Sequence, residues 1–173
     1  MPRDVPRARA RAARALAAAF LAAATAAAAF LFLPREPELV VRDSRGAVLA
    51  ELRLPDGRFS HVFTHSFHLT PVEERFSVER EGLLGARMRL YELRYQSLGV
   101  GMPADAELGY RLEDGVFVLR MDRVFEEIPI LVSIVPGHGI VIGDCYQPFR
   151  NWAAPKDGIR LSARMTISLR PWR

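Results

Sequence analysis

A run of 19 residues without a charge, ALAAAFLAAATAAAAFLFL at residues 15–33, constrains this chain more than any other feature. Thr25 is its only polar side chain. An α-helix rises about 1.5 Å per residue, so a helix of this length spans nearly all of the hydrocarbon core of a bilayer, which is about 30 Å thick. The sequence therefore predicts one membrane-spanning helix that precedes the rest of the chain.

The charges before this run predict its orientation in the membrane. Residues 1–14 contain five arginines and one aspartate. Arginines accumulate on the cytoplasmic side of membrane spans, so we expect a cytoplasmic basic tail at 1–14, a single-pass signal anchor at 15–33 in a bacterial inner membrane, and a periplasmic remainder. Cleavage of a signal peptide near Ala27 or Ala29 is the alternative. The apolar residues that follow Ala29 favour the anchor, because cleavage would leave them exposed.

The remaining charges exclude one class of partner. From Pro34 onward, 19 basic and 19 acidic residues cancel, so the basic pI reflects the N-terminal tail. A protein that binds nucleic acid gains affinity by neutralising phosphates with a basic surface, which this part of the chain lacks. We therefore expect no nucleic-acid partner. The short segment PREPE at 34–38 is predicted to link the anchor to an exported domain at 39–173.

Short segments rich in β-branched and aromatic residues dominate the exported part and predict strands. Turn signals such as DSRG, PDG, EDG, PGHG and PKDG lie between or within them. This spacing is typical of an all-β fold, an antiparallel β-sandwich or a small barrel of about eight or nine short strands. The predicted strands are 38–43, 47–54, 58–67, 72–79, 87–97, 110–121, 128–135, 139–144 and 159–169.

The stretch THSFHLTPVEERF at 64–76 concentrates the polar side chains with chemical potential. A hairpin around a four-residue loop at 68–71 would place His65 opposite Glu74. Side chains alternate along a strand, so both would share an apolar face while Ser66 would point away. The pair has two readings: it fixes the register of the hairpin, or it contacts a ligand or partner.

Strand geometry argues against metal binding and catalysis in this stretch. His61 and His65 lie about 13 Å apart along one strand, too far to share an ion. Ser66 faces away from His65, and the sequence contains none of the common catalytic motifs. We predict no metal site, no cofactor and no catalytic residue. The lone Cys145, at the end of an apolar strand, is predicted to be a buried structural residue.

Four sequence blocks resemble the domain of unknown function 1850 family. They are HSxxxTPVEE, RYQSLGVGMP, MDR and IPILVSIVPGHGIVIGD, in this order between residues 65 and 144. The chain has His68 and Leu69 where relatives often carry a charged or polar pair. The positions that the resemblance marks are His65, Ser66, Thr70, Pro71, Glu74, Gln96, Ser97, Gly99, Gly101 and Pro103. We take six of them, His65, Ser66, Thr70, Glu74, Gln96 and Ser97, as candidate ligand or partner contacts.

The resemblance also implies a biological context. Members of this family are small exported or membrane-anchored bacterial proteins encoded beside TRAP transporters of the TAXI class. This implies a non-enzymatic accessory protein that docks on the transporter permease or on its solute-binding subunit, through loops at 68–71 and 98–106. The alternative is a periplasmic ligand-binding or hydrolytic domain that uses His65 with Glu74, with Ser97 as the one inward-facing serine available to it.

Overall fold

A computed structural model of the chain describes residues 5–83, 85–96 and 109–167. It comprises two compact units, one formed by Met1–Arg35 with Ile167–Arg173 and the other by Glu36–Thr166. The first unit contains the helix and the second contains most of the sheet.

The N-terminal helix α1 runs from Val5 to Phe32. Alanine and leucine form helices readily, and the apolar part, Ala13–Phe32, has a mean hydropathy of 2.2 with none of its side chains buried by protein. Arg35 donates hydrogen bonds to the carbonyl oxygens of Phe30 and Leu31, both at 3.0 Å, and so satisfies acceptors that the helix end leaves unpaired. This helix has the length and hydropathy of a signal anchor or membrane span, as the sequence predicts.

Antiparallel strands dominate the rest of the described chain and form one curled sheet, a half-barrel. This confirms the predicted all-β class. The hydrogen-bonded order is β10-β9-β3-β4-β5-β11-β1-β2, with β7 also on β5, β6 on β7, and β8 on β11. The strands are β1 Arg35–Asp43, β2 Val48–Arg53, β3 Arg58–Thr64, β4 Pro71–Glu81, β5 Gly85–Tyr95, β6 Tyr110–Glu113, β7 Val116–Phe125, β8 Glu127–Leu131, β9 Gly139–Ile142, β10 Cys145–Pro148 and β11 Gly158–Ile167.

The β6–β7 hairpin and strand β10 differ from the sequence-based expectation. The segment predicted as one strand at 110–121 is a hairpin, because Asp114 and Gly115 both adopt positive φ, 51° and 81°, and form a two-residue turn between β6 and β7. Strand β10 was not predicted. It pairs with β9 through a tight turn that includes Gly143, whose φ is 57°.

Bulges interrupt β4 and β5 near their middles and help the sheet to curl. The pairing of β4 with β5 shifts between Arg75 and Phe76, and that of β5 with β7 shifts between Leu90 and Glu92. Strict alternation would put Leu90 and Leu93 on opposite faces, yet both are buried. The extra residue at the bulge therefore lets β5 present two leucines to the interior.

The hydrophobic core lies against the inner face of the sheet. Phe59 and Phe76, opposite each other on β3 and β4, stack with ring centroids 4.9 Å apart. Burying one such aromatic or leucine side chain contributes about 1.5–3 kcal/mol, so this layer dominates the stability of the fold. The buried cluster comprises Leu39, Val41, Leu54, Phe59, Phe76, Met88, Leu90, Ile130, Val132, Ile140, Phe149, Ile159 and Leu161.

The outer face of β4 and β5 is charged instead. Glu73 accepts hydrogen bonds from Ser60 at 2.7 Å and from Arg75 at 2.9 Å. Arg75 also reaches Glu92 on β5 at 3.1 Å, and Arg94 extends the ladder from there. Burial alone would raise the pKa of Glu73, but the hydrogen bonds from Arg75 and Ser60 outweigh it and hold the pKa below its ordinary value.

Candidate functional site

An open pocket of about 590 Å³ lies on the inner face of the sheet, within the unit Glu36–Thr166. This volume is in the range of small-molecule sites. Most of its wall is apolar, and a smaller number of polar side chains also line it. The apolar residues include Phe63, Phe76, Leu90, Phe125, Ile128, Ile130 and Leu131, and the polar residues include His61, His65, Ser66, Glu74, Ser133 and His138.

The histidine that faces Glu74 is His61, not His65. In the β3–β4 hairpin His61 pairs with Glu74, Phe59 with Phe76 and Phe63 with Val72. The predicted His65–Glu74 pairing is therefore wrong by four residues on β3. A shift by an even number of residues keeps the alternation of the strand, so the faces were predicted correctly although the partners were not.

The turn explains this difference in register. Strand β3 ends at Thr64, and the loop runs from His65 to Thr70, with the His65 amide bonded to the Thr70 carbonyl at 2.8 Å. The Leu69 amide closes an inner turn on the His65 carbonyl, also at 2.8 Å, and Leu69 itself adopts a φ of 54°. A six-residue loop thus replaces the predicted four-residue loop, since His65 belongs to the turn rather than to the strand.

A chain of hydrogen bonds connects three ionisable side chains across the sheet. His61 Nδ1 lies 2.8 Å from Glu74 Oε2, and His61 Nε2 lies 2.9 Å from His138 Nε2. At the far end the Ser133 amide donates to His138 Nδ1 at 2.8 Å. Both imidazoles are buried, at 7% exposure for His61 and 9% for His138. We call Glu74, His61 and His138 the inner triad.

The fixed donor at one end assigns the protons of the inner triad. Because the Ser133 N–H donates to His138 Nδ1, the neutral His138 carries its proton on Nε2 and donates it to His61 Nε2. His61 then carries its proton on Nδ1 and donates it to the Glu74 carboxylate. Every bond has one donor and one acceptor when both imidazoles are neutral, so the triad carries the single negative charge of Glu74.

Protonation of His138 conflicts with this arrangement. A second proton, on His138 Nδ1, would point at the Ser133 N–H. Two donors would then face each other, and this hydrogen bond would be lost. Burial lowers the pKa of His138 from 6.5 to about 4, although the charge of Glu74 opposes this shift. His138 is therefore neutral at physiological pH.

The candidate residues marked by the sequence fall into different places. His65 and Ser66 line the pocket beside Glu74, although alternation predicted that Ser66 would point away. They meet there because both belong to the turn, where strand alternation no longer applies. Thr70 is half-buried at the end of the same turn, and Gln96 is exposed just after β5. Ser97, with the predicted docking loop at 98–106, lies outside the described residues.

His65 and His68 lie closer together than the hairpin prediction implied, with ring centroids 5.0 Å apart. His65 Nδ1 accepts hydrogen bonds from the amides of Phe67 and His68, both at 3.3 Å, and these bonds fold the loop back. Within residues 5–83, 85–96 and 109–167, no group of three or more His, Cys, Asp or Glu side chains is arranged to hold a metal ion.

Sequence reasoning missed His138, which is 77 positions from His61. The motif PGHG was interpreted as a turn alone. Gly137 has a φ of 88°, and a side chain at Gly139 would collide with the Gln147 carbonyl oxygen, so both glycines are structurally required. The signal in the sequence that could have pointed to His138 was its position between two glycines that the backbone requires.

The position of Cys145 differs from the prediction that it is a buried structural residue. The structure places it at the start of β10 with its side chain exposed, not buried. The reason is that the turn at 143–144 returns the chain along the outer edge of β9, so Cys145 lies on an edge strand.

The fold and the site define a β-domain with a histidine-lined pocket, preceded by an apolar helix. The chain belongs to the DUF1850 family, a domain of unknown function, whose model matches residues 59–149. The matched range contains the whole inner triad and all of the described residues that line the pocket. No curated protein and no solved structure matches the chain.

Proposed function

We propose that this protein is a membrane-anchored, extracytoplasmic binding module, not an enzyme, that holds a small molecule in the pocket. The observation that carries the proposal is the open pocket of about 590 Å³ that joins an apolar wall to a buried, hydrogen-bonded polar group. Apolar surface supplies affinity in such sites, and a few fixed polar groups supply specificity.

The two histidines of the inner triad are not placed to act as general bases. A general base needs a free lone pair near the substrate, and each nitrogen of His61 and His138 is already used in the chain of hydrogen bonds. Two hydroxyls of the pocket wall also have partners: Thr64 donates to the Pro136 carbonyl at 2.9 Å, and Ser133 accepts from the Val135 amide at 2.9 Å. The triad thus acts as a rigid support that orients Glu74.

The helix α1 supports the membrane part of the proposal. Large apolar side chains on it, such as Phe20 and Leu21, are exposed at 78% and 68%, a state that water disfavours and lipid satisfies. Arginines before the apolar run favour a cytoplasmic N-terminus and a periplasmic domain. A reporter that is active only outside the cytoplasm, fused after Arg173, is expected to be active, and activity of a cytoplasmic reporter instead would contradict the orientation.

We also propose that the protein acts as an accessory protein of a TAXI-class TRAP transporter. The sequence resemblance supports this setting, and the turn at 65–70 offers a contact surface beside the pocket, with Phe67 and Leu69 exposed at 75% and 68%. In this role the domain would present its ligand to the permease or to the solute-binding subunit. Deletion of the protein is then expected to reduce uptake of the transported solute, and unchanged uptake would remove the transporter role while leaving the binding role intact.

Filling the pocket tests the binding role directly. Ile128→Trp adds bulk to a side chain that lines the pocket, whereas Val124→Trp adds it at an exposed position of β7 outside the lining. We expect the full chain in lipid nanodiscs to carry a small molecule visible by native mass spectrometry, and I128W to lose it while V124W retains it. Equal occupancy in all three proteins, or no bound molecule in any, would contradict the proposal.

A further inference from the structure

Charge is distributed unevenly over the pocket. Among the described residues that line it, Glu74 is the only aspartate, glutamate, lysine or arginine. Arg75 on β4 and Arg94 on β5 bind carboxylates of the outer ladder. Among the described residues that line the pocket, the Glu74 carboxylate therefore has no cationic side chain beside it.

Glu74 uses only part of its hydrogen-bonding capacity. Oε2 accepts from His61 Nδ1, and no described residue donates to Oε1. The side chain keeps 27% of its surface exposed, so this second oxygen remains accessible. A carboxylate has about four lone-pair sites, and His61 occupies one of them. The accessible oxygen is an acceptor ready for a donor that comes from a ligand.

The neutral imidazoles do not offset this charge. The donor and acceptor sequence of the inner triad leaves His61 as a neutral donor to Glu74, with no second proton to supply. A negative charge beside an apolar wall is poorly solvated, and an opposite charge from outside the protein would compensate it. Phenylalanine side chains also line the pocket, Phe63, Phe76 and Phe125, and aromatic rings attract cations.

From this arrangement we propose that the pocket selects an organic cation, an ammonium compound with an apolar body. The ammonium group donates to Glu74 Oε1, and the apolar body packs against the phenylalanine and isoleucine side chains of the wall. An anionic ligand would face the Glu74 carboxylate and be repelled. This inference rests on the proposed binding function and specifies the chemical class of its ligand.

Three probes of nearly equal size separate charge from shape. They are 2-phenylethylammonium, 2-phenylethanol and 3-phenylpropanoate, added to the full chain in nanodiscs, with empty nanodiscs as the blank for partition into lipid. Saturation-transfer NMR and calorimetry give the Kd values. Close ion pairs in partly desolvated sites are worth more than 1.4 kcal/mol, so we expect the ammonium compound to bind at least about tenfold more tightly than the alcohol, and the carboxylate not to bind.

A matched pair of variants locates the effect. Glu74→Gln keeps an oxygen that accepts from His61 and removes the charge, whereas Glu73→Gln makes the same change on the opposite face of β4. We expect E74Q to lose the preference for the ammonium compound and to keep weak binding of the alcohol, and E73Q to behave as the wild-type protein. The comparison of probes on the wild-type protein does not depend on how either variant folds.

The outcomes distinguish this inference from the proposed function. Equal binding of the alcohol and the ammonium compound, or tighter binding of the carboxylate, overturns the cation preference and leaves the binding function standing. An ammonium preference that survives in E74Q assigns it to other groups and also overturns the inference. Failure of all three probes to bind the wild-type protein overturns the inference together with the pocket-binding function.

Discussion

Glu73 and Glu74 are neighbours on β4 with opposite environments. Glu73 faces outward, where Arg75 and Ser60 donate to its carboxylate. Glu74 faces inward, where its one described donor is His61, on an otherwise largely apolar wall. The outer carboxylate is neutralised by its own protein, whereas the inner one is held in place by neutral groups and keeps an accessible oxygen. Strand β4 thus carries one carboxylate, Glu73, that is paired within the protein, and a second, Glu74, that keeps an oxygen without a described donor.

The largest expected effect comes from removing the centre of the inner triad. His61→Phe deprives Glu74 of its donor and leaves the His138 N–H without an acceptor. Leaving buried polar groups without partners costs about 2–4 kcal/mol, so we expect the free energy of unfolding to fall by this amount. Denaturant titration of the full chain measures it. The matched outer change, Ser60→Ala, should cost about 1 kcal/mol, and an equal loss in both variants would refute the contrast between the faces.

The second prediction concerns acid. The pKa of His138 is lowered from 6.5 to about 4 in the folded protein by burial, so below pH 6.5 the unfolded chain takes up a proton that the folded chain excludes. Stability should therefore be constant with respect to this group above pH 6.5 and should decrease as the pH falls towards 4. The decrease is at most about 3 kcal/mol, because one pKa unit corresponds to about 1.4 kcal/mol and partial solvation reduces it.

His138→Gln is the control for this pH dependence, since glutamine does not titrate. The variant is expected to be less stable at neutral pH and to lose the part of the acid slope between pH 6.5 and 4. The same slope in the variant and in the wild-type protein would show that other groups cause it.

The smallest effect is expected on the outer face. Glu73→Gln removes a carboxylate whose pKa is held below its ordinary value, so its contribution is present at neutral pH and disappears as the pH falls through that lowered value. Partly exposed ion pairs contribute below about 1 kcal/mol, and salt should reduce the difference further. A loss larger than that of H61F would reverse the comparison between the two faces.

Local periodicity predicted much of the fold but only part of the site. The alternation of side chains was sufficient to put His61, Phe63 and Glu74 on one face, because a strand has only two faces. The partners within that face depended on the length of one turn, and the turn is set by backbone hydrogen bonds of His65 that no pattern of side chains encodes. The contact of His138 with His61 could not be predicted from local periodicity, because it depends on the pairing of β9 with β3.

The sequence separations within the inner triad have a consequence for biogenesis. Glu74 is 13 positions from His61 and joins it within a single hairpin, whereas His138 is 77 positions away. Contacts between residues close in sequence form faster than distant ones, because a shorter loop costs less entropy to close. A chain that is synthesised from its N-terminal end can pair Glu74 with His61 early, but the pocket is complete only after residue 138 has been added. The pocket is thus a late product of folding, and a chain that stops before His138 has no complete inner triad.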